Sequence, residues 1–288
     1  MILITGATGK LGRVVTETLL KKLPATKIAA FVRDAQKAAD LQAQGVAVRV
    51  GDYNDVSSLD AAMQGIDKVL LIAGGAASNL LQQHQNVVDA ARQAGVACFA
   101  YAGRALHDRA TLASKFMDIH LQTDDLIMAS GMNYVLFRNS RYTDTALGYL
   151  GPEVANTGIR VPAGDGRMAY ALRSEMGEAI ANVLADGDCD NRIYTFTGTE
   201  AYSFADVAAA ASELLGKPVA YYQVTPEEFQ AQLLERGIPA HVASNITASM
   251  RDIKAGQEAD VSPDLERKLG RKPATLQEGL KTLLPTSK

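Results

Sequence analysis

The sequence predicts an α/β fold, a doubly wound parallel sheet followed by a smaller, mostly helical C-terminal lobe. Three observations predict it. Short apolar runs alternate with longer amphipathic segments through the first half of the chain. The first of these runs feeds directly into the glycine-spaced stretch Gly6, Gly9, Gly12. Past residue 150 the rhythm changes to shorter, glycine-rich pieces. A chain of 288 residues suits one large α/β domain, or a large one with a smaller partner. Apolar residues at 47% and charged residues at 21% allow a core of ordinary size.

The apolar runs are 2–5, 28–32, 46–50, 68–74, 98–103 and 133–138. Each is short and continuously apolar, the pattern of a strand covered on both faces. The segment from Lys10 to Leu23 carries Leu11, Val15 and Leu19 at helical spacing. Residues 79–95 repeat the pattern with Leu80, Leu81, Val87, Val88 and Ala91. A third helix is expected over 114–131. Strand, helix, strand at this interval argues for βαβ units and a parallel sheet. Gly95 and Gly131 follow helical segments where a left-handed residue ends a helix well. Residues 203–206, 225–228 and 275–278 read as capping boxes, with Pro226 at the first helical position of the second. Residues 1–150 are expected to form the sheet domain and 151–288 a smaller lobe packed on it. Within that lobe, 192–198 and 219–224 read as isolated strands.

A net charge of -3 and a pI near 5.9 point to neither nucleic acid nor a membrane surface. No stretch approaches the roughly 18 apolar residues that a spanning helix needs. The start "MILITG" has no basic segment before its apolar run, so no signal peptide is expected. The two cysteines, Cys98 and Cys189, have no metal-ligand spacing and fit free thiols in a reducing cytoplasm. His84 and His107 have no zinc-site spacing, and no G-x-S-x-G elbow occurs, so neither a metal nor a serine nucleophile is expected.

The glycines carry the first chemistry. Placed between a strand and a helix, Gly6 allows a tight bend, Gly9 lets backbone approach a pyrophosphate, and Gly12 lets the helix pack closely. This is the signature of a Rossmann-type dinucleotide site. The amides of Lys10, Leu11 and Gly12 would face the phosphates, and Thr8 and Lys10 would add a hydroxyl and a cation. Arg33 lies 21 residues past Gly12, where NAD-binding folds place an acid. Its donor fork suits a 2′-phosphate and favours NADPH over NADH. Asp34 follows directly, and if it points inward NAD is accepted. Asp52 is placed to accept from the adenine amino group. Ala73, Gly74 and Gly75 let the chain pass close to a flat ring or ribose at the sheet's carboxyl end.

Taken together, "ITGATGKLG", "FVRD", "GDYND", "LLIAGG", "LFRNSRYTDT" and "AGDGRMAYALRSEMGEAIANVL" resemble the NmrA-like branch of the atypical short-chain dehydrogenase/reductase superfamily. Within it the chain is similar to the NADPH-dependent quinone oxidoreductases and the triphenylmethane-type reductases. The resemblance implies bound NADP(H) and a small-molecule substrate, a quinone, with a homodimer as the one protein partner in view. The wider superfamily donates a proton through Tyr-x-x-x-Lys. Here Tyr101 is followed four residues later by Ala105, and Asp125 falls where the quinone reductases of this branch have a lysine.

Quinone reduction demands less of the protein, because the oxyanion formed is resonance-stabilised and takes a proton from water. The candidate catalytic residues are therefore positioners: His120, Asn139 and Tyr142. His120 either donates to a quinone oxygen or bonds a nearby backbone carbonyl. Asn139 either meets the substrate or orders the chain at a strand end. Tyr142 either walls the pocket or packs within the lobe. Residues 104–110 are either a loop over the nicotinamide or a solvated turn. Two functions remain open: an NADPH-dependent reductase, or a catalytically silent NADP(H) sensor of NmrA-like type.

Overall fold

In the computed structural model the chain begins with β1 (Ile2–Thr5), α1 (Lys10–Leu20), β2 (Ile28–Val32) and α2 (Ala39–Ala43). There follow β3 (Ala47–Val50), α3 (Val56–Ala62), β4 (Lys68–Ile72), α4 (Leu80–Gln93), β5 (Cys98–Arg104), α5 (Lys115–Ala129) and β6 (Asn133–Asn139). The structure describes residues 1–74, 79–150, 153–187 and 189–283. Every apolar run read as a strand in the first half is one, to within a residue or two at its ends.

The central sheet has the strand order β3-β2-β1-β4-β5-β6-β9, with β9 spanning Arg192–Phe196. The pairs from β3 through β6 are all parallel. The order reverses direction between β1 and β4, and it is outside the carboxyl ends of strands at such a point that ligands bind. The segment 192–198 was expected to stand alone. It adds to the open edge of β6 instead, because an unpaired edge leaves a row of backbone donors and acceptors to be met.

The remaining elements are α6 (Thr143–Ala146), α7 (Val154–Thr157), β7 (Ile159–Val161), β8 (Arg167–Met168), α8 (Arg173–Asp186), β10 (Tyr202–Ser203) and α9 (Phe204–Leu215). The chain ends with β11 (Tyr221–Gln223), α10 (Pro226–Glu235), α11 (Ala240–Lys254), α12 (Asp264–Leu269) and α13 (Leu276–Leu283). β11 is no isolated strand either, since it pairs in parallel with β7. The capping boxes at Ser203 and Thr225 form as read, and Thr275 and Glu278 exchange the same reciprocal bonds. Gly95 and Gly131 take positive φ values of 71° and 80°.

By contacts the chain forms two compact units. One comprises Met1–Arg104, Ile119–Asn139 and Ser174–Tyr194; the other Ala105–Asp118, Ser140–Arg173 and Thr195–Lys288. Each has its own apolar core. Leu3, Phe31, Leu71, Phe99 and Leu136 lie at the centre of the first. Tyr170, Phe204, Met250 and Leu280 lie at the centre of the second.

Free thiols were expected, and the structure corrects this. Cys98, at the start of β5, is bonded to Cys189 in the segment before β9, 91 residues on. The sequence separation hid a pairing that only the sheet brings about.

Candidate functional site

The turn after β1 is built from backbone. Gly6 has a φ of +59°, and its carbonyl accepts from the Gly9 N–H at 2.9 Å. α1 then starts with Gly9 as its N-cap and no side chain capping it. The N–H groups of its first turn are left without intrahelical partners, and no acidic residue stands in that turn to repel an anion. A Cβ on Gly12 would lie 2.3 Å from the Gly6 oxygen and 2.8 Å from the Ala7 Cα, so only glycine fits. Leu11 is buried in the core and can offer a ligand only its backbone N–H. Thr8 is half-buried and Lys10 exposed beside the turn.

At the end of β2 the two neighbouring residues divide their roles. The Asp34 carboxylate accepts from the Gln36 N–H at 2.9 Å and caps the short helical turn 35–38. That commits the acid to backbone. Arg33 is exposed and makes no hydrogen bond or ion pair with any described residue, which leaves its fork for an anion. Arg13 holds the following loop by bonding Asp40 and, at 3.3 Å, the Lys37 carbonyl.

Asp52 is half engaged. Its Oδ1 accepts from both the backbone and the side-chain N–H of Asn54, each at 2.8 Å. Tyr53 stacks on Phe31 and donates to the Ile72 carbonyl at 3.0 Å, while the Ile72 N–H bonds Thr5 Oγ1 at 2.9 Å. The ends of β1 and β4 and the turn after β3 are thereby cross-linked. Ala73 is half-buried and Gly74 exposed. Among the described residues, a Cβ on Gly74 would meet nothing closer than Gln83 Oε1 at 3.7 Å. Gly75 lies outside the described residues.

On α5, His120 is 7% exposed, and its Nδ1 lies 2.7 Å from the Tyr101 hydroxyl. The sequence singled out His120 but not Tyr101. The signal was present, since a tyrosine in the middle of an apolar strand must find a partner for its hydroxyl. One turn further on, Thr123 donates to the Ile119 carbonyl at 2.8 Å and meets His84 Nδ1 at 2.7 Å. Burial pushes His84 down to about 4. Burial, with the Arg104 charge behind it, pushes His120 down to about 3. Both imidazoles are therefore neutral near pH 7. Asp125 is exposed, and the buried acid of this helix is Asp124, bonded by Arg138 Nε at 3.0 Å and pushed up to about 6 by its burial.

These groups set a pH dependence. The unfolded chain takes up a proton at each histidine near pH 6.5, while the folded chain resists until about pH 4 and 3. Stability from both is thus present above pH 6.5 and lost as pH falls. Asp124 opposes them, because the fold holds its proton more tightly between pH 3.8 and about 6. Two imidazoles against one carboxyl leave a net loss near pH 5 of about 1.4 kcal/mol per pH unit. Urea titrations at pH 7 and pH 5 measure it, and equal unfolding free energies at the two would contradict the assignment.

Asn139 is fully buried. Its Nδ2 donates to the Phe137 and Gly103 carbonyls at 3.4 and 3.5 Å, which ties the end of β6 to that of β5. Tyr142, in the second unit, has one ring face under the Arg173 guanidinium at 3.8 Å, and Arg173 is held by both Asp144 oxygens at 2.9 to 3.1 Å. Residues 105–110 are not a free turn. Within the second unit, the Gln257 side chain accepts from the Asp108 N–H at 2.9 Å and donates to the Asp108 carbonyl at 2.8 Å. The His107 N–H bonds the Gln257 carbonyl at 3.0 Å. No cluster of His, Cys, Asp or Glu able to hold a metal occurs among the described residues.

Known proteins resemble this chain over nearly its whole length. The model of the NmrA-like family matches residues 1–283. Quinone oxidoreductase 2 of Escherichia coli (strain K12) is 35% identical over 284 residues, covering 98% of each chain. A crystal structure of the NADPH-dependent quinone oxidoreductase from E. coli complexed with NADPH has a TM-score of 0.93 at 35% identity, over 98% of this chain and 99% of that one. The Citrobacter sp. triphenylmethane reductase complexed with NADP(H) has a TM-score of 0.91 at 37% identity, over 99% of this chain and 100% of that one.

Proposed function

The chain belongs to the NmrA-like family, and on that premise we propose that it is an NADPH-dependent reductase of quinones or similar conjugated electrophiles. The observation that carries the cofactor is the pairing of a cradle only glycine can form at Gly12 with an Arg33 that has no hydrogen-bond or ion-pair partner among the described residues and an Asp34 already committed to backbone. The quinone rests on likeness to the E. coli oxidoreductase.

Gly6, Gly9 and the amides of Lys10, Leu11 and Gly12 would hold the pyrophosphate, with Thr8 beside them. Arg33 would hold the 2′-phosphate. Asp52 keeps Oδ2 for the adenine amino group, and Ala73 and Gly74 leave room for a ribose or ring. When bound, NADPH supplies a hydride. The chain's part is to hold two flat rings in contact and to exclude water. His120 would donate a hydrogen bond to a substrate oxygen. Asn139 would keep the ends of β5 and β6 in place, and Tyr142 would wall the pocket. Residues 1–150 serve the cofactor in this reading and 151–288 the substrate. The net charge of -3 favours neither nucleic acid nor a membrane surface as partner; a cytoplasmic protein, alone or as a homodimer, belongs to this reading without the support of free thiols, which the Cys98–Cys189 bond removes. No helix among the described residues is long and apolar enough to cross a membrane.

NADPH absorbance followed with a benzoquinone or naphthoquinone tests the reading. Steady consumption is expected. A protein that binds NADPH yet turns over no quinone is instead a sensor, the alternative that the missing Tyr-x-x-x-Lys favours. Arg33→Ala should weaken NADPH binding by about 1–3 kcal/mol and leave NADH nearly unchanged. Equal losses for the two cofactors would remove the 2′-phosphate assignment.

A further inference from the structure

We infer that Arg13 is a positioning residue for cofactor choice: its guanidinium ties the turn that follows Arg33 to the helix that starts at the glycine cradle, and so fixes the spacing between the pyrophosphate and 2′-phosphate sites. This role rests on the NADPH reading and holds whichever substrate is reduced.

Both ends of the tie lie within the first compact unit. At one end the Arg13 N–H donates to the Gly9 carbonyl at 2.9 Å, closing the first turn of α1. Gly9 is the N-cap of that helix, and Gly12, the residue before Arg13, lies so close to the Gly6 carbonyl that a Cβ would overlap it. The Arg13 backbone therefore keeps one place relative to the amides that would face a pyrophosphate. At the other end, Nη1 donates to the Asp40 carboxylate and Nη2 to the Lys37 carbonyl at 3.3 Å. Asp40 stands in the first turn of α2, and Lys37 in the helical turn 35–38. Asp34 caps the start of that same turn. The turn is thus held at its start by Asp34 and toward its end by Arg13.

Arg33 directly precedes this turn and has no hydrogen-bond or ion-pair partner among the described residues. Where its fork can reach is set by the backbone that follows it, which is the backbone Asp34 and Arg13 hold. A 2′-phosphate and a pyrophosphate belong to one nucleotide, so a cation serves the first well only if it is pre-placed relative to the amides serving the second. The fork of Arg13 matters here. A guanidinium reaches a carboxylate and a carbonyl with two separate nitrogens, whereas an ammonium is a single point. The charge of Arg13 has a second effect. Its hydrogen bond is the main cause that holds the Asp40 carboxyl below the usual carboxylate range, so Asp40 is ionised near pH 7. Without Arg13, an uncompensated carboxylate would remain on the segment that has to receive a phosphate. The pair adds little to the stability of the fold, because Asp40 is 58% exposed. Its loss should therefore be read on the cofactor and not on the melting temperature.

Fluorescence titration of the full chain with NADPH and with NADH tests the role without any turnover. Arg13→Ala should raise the Kd for NADPH roughly tenfold and that for NADH less than about twofold, with Tm within about 2 °C of wild type. Arg13→Lys keeps the charge but not the fork and should recover only part of the loss. Asp40→Ala should weaken NADPH selectively as well, because it removes the anchor. If Arg13 instead bonded the phosphate itself, releasing it from Asp40 would tighten NADPH, and that result overturns the positioning role. Glu17→Ala removes only the contact within α1 at 4.0 Å and should leave both constants unchanged. A loss there equal to that of Arg13→Ala would place the effect in α1 and overturn the role too. Amide exchange at residues 35–40 without nucleotide should quicken in Arg13→Ala and Asp40→Ala, and unchanged exchange contradicts the tie. A wild type that holds NADPH and NADH equally removes the 2′-phosphate reading and the role of Arg13 with it. A wild type that prefers NADPH, with the preference kept in Arg13→Ala, removes the role of Arg13 alone.

Discussion

Gly12→Val should abolish measurable NADPH binding and destabilise the fold by about 3 kcal/mol or more. The atoms that a Cβ would strike, the Gly6 oxygen at 2.3 Å and the Ala7 Cα at 2.8 Å, are both backbone of the same turn. A flexible side chain could swing aside, but these atoms can move only if the turn opens or α1 shifts along β1. Either change takes the amides of Lys10, Leu11 and Gly12 out of the array that would hold a pyrophosphate. Gly74→Ala is the matching control. Its nearest neighbour among the described residues is a side-chain oxygen at 3.7 Å, so the fold should keep its stability. Thermal unfolding and fluorescence titration with NADPH, run on both variants, separate loss of fold from loss of site. A Gly12→Val protein with wild-type affinity would refute the cradle.

Reduction of Cys98–Cys189 should cost about 4–5 kcal/mol of stability, because the bond closes a long loop, the two residues lying 91 apart. For a chain of this size that corresponds to a fall of roughly 10 °C or more in Tm. Cys189→Ser should reproduce the fall in the absence of reductant. The bond holds the segment leading into β9 to the first residue of β5, at the opposite end of β5 from Arg104. Turnover at low temperature should therefore be little changed in either case. Thiol titration of the unreduced, unfolded protein checks the premise, and two free thiols there would discard it. The expectation of free cysteines came from compartment and count, which carry no information on distance. Cys98 and Cys189 meet because β9 joins the sheet beyond β6 and carries the preceding segment back toward the start of β5.

The turn after β1 was determined locally, and so was legible in the sequence. Gly6, Gly9 and Gly12 are read from their spacing because positive φ and close approach are demands on single residues. Arg33 and Asp34 were both visible, and the sequence favoured Arg33 for a 2′-phosphate, but whether Asp34 points inward was not legible. That depended on Asp34 turning to cap residues 35–38. Helix ends at Ser203, Thr225, Thr275, Gly95 and Gly131 were legible for the same reason, since a cap is complete within three or four residues. The strands of the first half were legible because burial on both faces removes polar residues from the run itself.

What remained was decided only by tertiary structure. Tyr101 and His120 are 19 residues apart, His84 and Thr123 are 39 apart, and Asp108 and Gln257 are 149 apart. In each pair neither residue announces its partner, because a hydroxyl, an amide or an imidazole is satisfied by many groups. The fold chooses among them by distance. The Tyr101–His120 contact, the anchoring of residues 105–110, the place of β9 and the disulfide all follow from that choice. The sequence determined which cofactor chemistry the chain can meet, through backbone conformations and charges that act within a turn. The tertiary structure decided how the imidazoles are held, because buried polar groups take the partners that packing places within 3 Å of them.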